Sequence, residues 1–132
     1  MDRRIVVTGL GAVSPVGVGA DAIWDSISNG RSGVGPITAF DVSAYPTRFA
    51  ACVDDWDPSP WIEPKEARRM ARFQQFALAS ALMAVEDAGL VVDESNAERV
   101  GVIVGSGIGG LSTMEEQKEV LDAKGPGRVS PF

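Results

Sequence analysis

The chain has 132 residues, 45% of them hydrophobic, with a formal net charge of −6, no histidine and one cysteine. That size and apolar content suit one globular domain or part of a larger one and set disorder aside. The acidic balance argues against a nucleic-acid binder, which needs a positive field over its contact face. One cysteine excludes an internal disulfide framework, and without histidine a zinc site would need an improbable set of carboxylates. Complete cysteine or histidine catalysis within these residues is therefore not expected. The opening, through Ile5-Val6-Val7, lacks the long apolar stretch of a secretory signal. No run approaches the length of a membrane span, so a cytoplasmic location is expected.

In chain order, Ile5-Val6-Val7-Thr8 is a β-branched run that reads as a buried strand, in keeping with a parallel sheet. Gly9, Gly11 and Ser14-Pro15 then make a loop. Asp21 to Asn29 reads as a helix, with Asp21 as N-cap, Ile23, Trp24 and Ile27 as the apolar stripe, and Gly30 as the stop. A polar loop runs on to about Phe40. Arg48 to Val53 reads as an edge strand, and the proline- and aspartate-rich stretch after it as loop. The clearest element is one continuous helix from Pro64 to near Ala88, with proline at the start, Gly89 past the end, and good helix formers between. Its alanines suit close packing. Val100 to Val104 reads as a second buried strand, and Leu111 to Ala123 as a helix ending at Lys124-Gly125.

Two glycine-rich loops follow the two expected strands. Gly105 to Gly110 fits G-x-G-x-x-G, and Gly9 to Ser14 nearly does. A dinucleotide fold would bring such amides against a pyrophosphate. That reading also needs a following strand with an acidic end, and Gly125-Pro126-Gly127-Arg128 stands there instead. The weightier reading is that the glycines allow tight turns or close backbone packing. A third is that Gly107 and Ile108 line a pocket for an apolar ligand.

Lys65, Arg68, Arg69 and Arg72 stand at i, i+3, i+4 and i+7, in one stripe at the start of the long helix. Cations are disfavoured near a helix N-terminus. A solvated face and a docking face for an acidic partner both remain open on pattern alone. Cys52 lies in a strand-like segment just before Asp54 and Asp55. Carboxylates oppose a thiolate, so it reads as a small apolar residue rather than a nucleophile.

At this point an ordered set of segments resembles one family. Arg4-Ile5-Val6-Val7-Thr8-Gly9-Leu10-Gly11 with Ser14-Pro15-Val16-Gly17 looks like the start of the β-ketoacyl-acyl-carrier-protein synthases. So do Gly30-Arg31-Ser32-Gly33, Phe40-Asp41, Ala88-Gly89-Leu90, Gly105 to Gly110, and Ser130-Pro131-Phe132. The pattern is closest to the type II elongating synthases of bacterial fatty-acid synthesis, and polyketide ketosynthases share much of it.

The resemblance implies an α/β, thiolase-like layered fold, of which these residues would form the N-terminal part of the first half. The whole chain, 1–132, is then an incomplete piece of a β-ketoacyl synthase domain. The implied reaction is a decarboxylative Claisen condensation of an enzyme-bound acyl chain with malonyl-carrier protein, without cofactor or metal. The nucleophilic cysteine and both histidines would follow Phe132, so no catalytic residue is placed here and the chain by itself is expected to be inactive. Lys65, Arg68, Arg69 and Arg128 match the basic patch for the acyl-carrier protein. Gly107, Ile108 and Phe132 match the acyl-pocket region, with Ile108 resembling a gate for chain entry. The expected partners are acyl-carrier protein, malonyl and acyl thioesters, and a second copy in a homodimer. No nucleic acid and no membrane span are expected. The alternatives are a polyketide-type ketosynthase and a non-catalytic binding or dimerisation fragment.

Overall fold

Local chemistry sets where the helices stop. The computed structural model describes residues 3–131. Helix α1 runs Ala20–Ser28, with Asn29 as its C-cap. Gly30 then takes φ +65. Its N–H donates to Ile27 O (3.0 Å), and that of Arg31 to Ser26 O (2.9 Å). This pair of bonds is the Schellman closure, which satisfies carbonyls the last turn leaves open. Helix α3, Arg72–Asp87, ends the same way. Gly89 has φ +58, its N–H reaches Glu86 O (2.9 Å), and that of Leu90 reaches Val85 O (3.1 Å). Helix α4, Leu111–Lys124, closes on Gly125 at φ +78. All three glycine stops fall where the sequence puts them. The start of α1 differs: its N-cap is Gly19, with no side-chain cap bond, and Asp21 lies in the first turn instead. In its stripe, Ile23 is half-buried, while Trp24 and Ile27 are exposed.

The single long helix expected from Pro64 is broken. A short helix α2 covers Pro64–Ala67, residues 68–71 form a turn, and α3 begins at Arg72. Two glutamines make the break affordable. Gln74 Oε1 accepts the N–H of Ala71 (2.7 Å), the residue just before α3. This is one half of a capping box, in which the third helical residue reaches back to the cap amide. Gln75 Nε2 donates to Ala67 O (2.8 Å) and to Met70 O (3.3 Å). Helix-forming propensity over 64–88 carried no sign of the bend, because the stabilising groups are side chains that pattern counts as helix formers.

The two apolar runs expected as buried strands are neither buried nor in a ladder. Ile5 is 94% exposed and Ile103 99%. The described ladders are two short antiparallel pairs instead. Strands β1 (Val13–Ser14) and β2 (Gly17–Val18) form a tight hairpin, pairing Val13 with Val18. The Ser14 hydroxyl braces it, accepting from Val16 N–H (3.3 Å) and donating to Gly17 O (3.2 Å). Strands β3 (Val34–Pro36) and β4 (Phe49–Ala51) pair Gly35 with Ala50. Strand β4 falls inside the expected edge strand, whereas β3 falls in a stretch read as loop. An apolar β-branched run states what a segment would gain by burial, and burial itself depends on partner strands.

The chain divides into two compact units, Met1–Asp57 with Ala79–Val91, and Pro58–Leu78 with Val92–Phe132. In the first, residues 9–11 lie hard against α3. A Cβ on Gly11 would stand 2.6 Å from Ala84 N, and one on Gly9 would stand 2.6 Å from Ala88 N. The facing residues, Ser80, Ala84 and Ala88, form a row of small side chains at i, i+4 and i+8. The Leu10 N–H donates to Asp87 Oδ2 (2.8 Å) and fixes the segment along the helix. In the second unit the buried apolar residues are Ile62, at 2% exposure, and Ala67. No helix among the described residues is long and apolar enough to cross a membrane.

Candidate functional site

The break after α2 reshapes the basic stripe. Lys65 lies within α2, Arg68 caps it, Arg69 sits in the turn, and Arg72 opens α3. Lys65, Arg68 and Arg69 are all exposed. Among the described residues, Lys65 and Arg68 have no ion-pair partner. Arg72 instead leans on the Phe76 ring, 5.4 Å from its centroid, at cation–π range. Three cations are thus presented on a short helix and its turn, with the fourth drawn onto an aromatic face. The Gln75 carboxamide, bonded to Ala67 O and Met70 O, holds the backbone beneath them. This clamp is a structural feature that the helix-forming pattern of the sequence does not show. Its only sequence signal is the Gln74-Gln75 pair one turn past the cations.

The 105–110 loop belongs to the same unit. Ser106 Oγ accepts the Gly109 N–H (2.9 Å), and Gly109 takes φ +75 against the Phe73 ring. Gly110 meets Ala71, since a Cβ there would stand 2.8 Å from Ala71 Cβ. No strand leads directly into the loop among the described residues, and one of its amides is already engaged. Both facts favour the turn-and-packing reading over a pyrophosphate cradle. Gly105 and Gly107 are different, for a Cβ on either would meet nothing within 4 Å. Ile108 is 71% exposed. Beside the loop lies a cavity of about 300 Å³ lined by Ala71, Phe73, Thr113, Met114, Gln117 and Val129, among others. Gly110 is on its wall. Phe132, the third expected pocket residue, lies outside the described residues.

Arg128 sits in a single 3₁₀ turn, Pro126–Arg128, just after α4. It shares a cavity of about 470 Å³ with Val120 and Lys124. Lys124 was not singled out in the sequence, where it reads as a routine cation at a helix C-terminus. Cys52 is exposed. It lies one residue past β4 on a cleft of about 400 Å³, with Ser14, Ser32, Asp54 and Asp55 on the same wall. No cation lines that cleft, so nothing there activates a thiolate. Two carboxyls are held below the usual aspartate range, both far from the cations in sequence. Asp41 is lowered by the backbone N–H and then the hydroxyl of Ser43. For Asp93 the Ser95 hydroxyl is the larger cause and the Ser95 N–H the next.

The chain belongs to the β-ketoacyl synthase family: residues 2–132 match its N-terminal domain. Among curated relatives, the 3-oxoacyl-[acyl-carrier-protein] synthase 2 of Synechocystis sp. is 47% identical over 130 residues, covering 98% of this chain and 31% of the relative. The chain thus spans about a third of the length of the curated relatives it matches. Among solved structures, the ishigamide ketosynthase/chain length factor matches with a TM-score of 0.74 at 33% identity, over 96% of this chain and 32% of that one. A type II polyketide ketosynthase, solved with its acyl-carrier protein and a hexaketide, matches with a TM-score of 0.70 at 24% identity, over 96% and 32%. The fold class is therefore the thiolase-like α/β fold of these ketosynthases, in its N-terminal part.

Proposed function

We propose that these residues form the carrier-docking and acyl-pocket part of a 3-oxoacyl-[acyl-carrier-protein] synthase of fatty-acid elongation. The observation that carries this reading is the family match over 2–132, together with a 47% identical relative bearing that name. In the implied reaction an acyl group passes from carrier-protein thioester to an enzyme cysteine. Malonyl-carrier protein loses carbon dioxide, and the carbanion left behind attacks the acyl-enzyme carbonyl and expels the cysteine thiolate. That cysteine and two histidines belong to the part of the family pattern that follows Phe132; Cys52 is not among them.

Lys65, Arg68, Arg69 and Arg128 carry the docking role. Exposed cations extend a positive field toward an acidic partner, and such a field raises encounter rates. Gly107, Ile108 and Phe132 carry the acyl-pocket role, with Ile108 as a gate. A homodimer in the cytoplasm, using malonyl and acyl thioesters, completes the reading. The sequence pattern shared with polyketide ketosynthases supports a polyketide-type ketosynthase as the second reading.

The test is condensation by the full-length protein, given acyl- and malonyl-carrier protein. Release of carbon dioxide with a 3-oxoacyl product supports the proposal, and pure, folded protein without either overturns it. Repeated condensation on one chain without reduction would favour the polyketide reading. Within the site, charge reversal at Arg68 and Arg69 should weaken carrier binding about tenfold at low salt. Unchanged affinity in a binding titration defeats the docking assignment.

A further inference from the structure

On α4, the residues Thr113, Gln117 and Val120 are half-buried. They form one stripe that Lys124 continues: Gln117 and Lys124 are seven residues apart, almost two full turns, and so lie within about 20° of one another around the axis. At the end of the helix, Gly125 in the left-handed region turns the chain back. Residues 126–130 then return along this stripe. The Arg128 N–H donates to Gly125 O (3.2 Å) and that of Val129 to Pro126 O (3.3 Å). The return is closed at its far end, where the Ser130 N–H donates to Gln117 Oε1 (2.6 Å), thirteen residues away in sequence. Between those two fixed ends, Arg128 and Lys124 line one cavity with Val120. Neither cation has an ion-pair partner among the described residues, and no carboxylate lines that cavity. The helix dipole accounts for a lysine at the end of α4, but not for an arginine held beside it by a side-chain tie two turns back.

We propose that Gln117 is a positioning residue: its carboxamide locks the 126–130 return onto α4, so that Arg128 and Lys124 form one paired-cation seat for carboxylates of the acidic carrier protein. This rests on the docking reading above and adds two residues to it, one cation and the group that sets the geometry. Two like charges held together raise the local potential more than two mobile ones, and holding them in advance spares the partner the ordering of the turn.

The experiment is a binding titration of the full-length chain with acyl-carrier protein at low salt, with hydrogen exchange at the Ser130 amide read in parallel. Lys124→Ala should weaken binding about two- to fivefold, the scale of one exposed charge pair. Gln117→Leu should do the same and speed Ser130 exchange. In an Arg128→Ala background, Gln117→Leu should have no further effect on binding, because its action runs through Arg128. Equal effects of Gln117→Leu with and without Arg128 would indicate a merely structural role and overturn the proposal. So would unchanged binding in Lys124→Ala, a surface change that leaves the fold alone. If Arg68→Glu weakens binding while these variants do not, only the present inference fails; if none of them does, the docking reading fails with it.

Discussion

The two glycine-rich segments look alike in sequence and do different physical work. Gly9 and Gly11 are pressed onto the α3 backbone, where Ser80, Ala84 and Ala88 leave no room for a Cβ. Gly105 and Gly107 stand in open space. Their glycine character is not explained by turn strain either, since neither takes a positive φ. A glycine that is structurally required declares itself by what a methyl group would strike. A glycine surrounded by space owes its identity to something other than packing within this chain, and the acyl-pocket role proposed for Gly107 is of that kind.

This contrast can be broken by substitution. The largest effect is expected at Gly11→Ala, which drives a methyl into helix backbone that cannot yield. It should destabilise the chain by about 2–4 kcal/mol in a denaturant titration, in the range of overpacking with backbone displacement. Asp87→Ala comes next, because it strips the Leu10 N–H of its carboxylate acceptor at an exposed position; about 1 kcal/mol is expected by the same measurement. Ser106→Ala removes the hydroxyl that accepts the Gly109 N–H, and should cost about 0.5 kcal/mol. Gly107→Ala should leave stability within about 0.5 kcal/mol of the parent. A loss there as large as at Gly11 would erase the distinction.

The smallest effect is one of pH and lies outside both segments. Hydrogen bonds from Ser43 and Ser95 hold the carboxyls of Asp41 and Asp93 below the ordinary aspartate pKa. Their hydrogen bonds therefore stabilise the fold fully above that value, and the contribution is lost as pH falls through the lowered folded values. In an acid titration followed by NMR, the Ser43 and Ser95 amides should shift together with their carboxyl partners below about pH 4. Amides that do not move with the carboxyls would contradict these turns.

What the sequence made legible was what local chemistry decides. The stops at Gly30, Gly89 and Gly125 and the span of α4 needed only the chemistry of a helix end. Strand β4 was legible because Arg48 to Val53 has edge-strand composition. The bend at 68–71 was not, since Gln74 and Gln75 stabilise it by reaching backwards to backbone that a propensity reading treats as helical. Nor was the exposure of Ile5 to Val7 and of Val102 to Val104, because burial of a strand belongs to its partners. In the candidate site, the cations were readable as a pattern, whereas Lys124 and Gln117 acquired meaning only when the 126–130 return brought Arg128 and Ser130 beside them.

The bend beneath Lys65, Arg68 and Arg69 is clasped by the neutral carboxamides of Gln74 and Gln75. A clasp without charge does not loosen when electrolyte is added or when pH changes. The cations above it therefore keep their places under conditions that screen their attraction. Any dependence of partner affinity on ionic strength then reports attraction alone, undistorted by a scaffold that melts in the same salt.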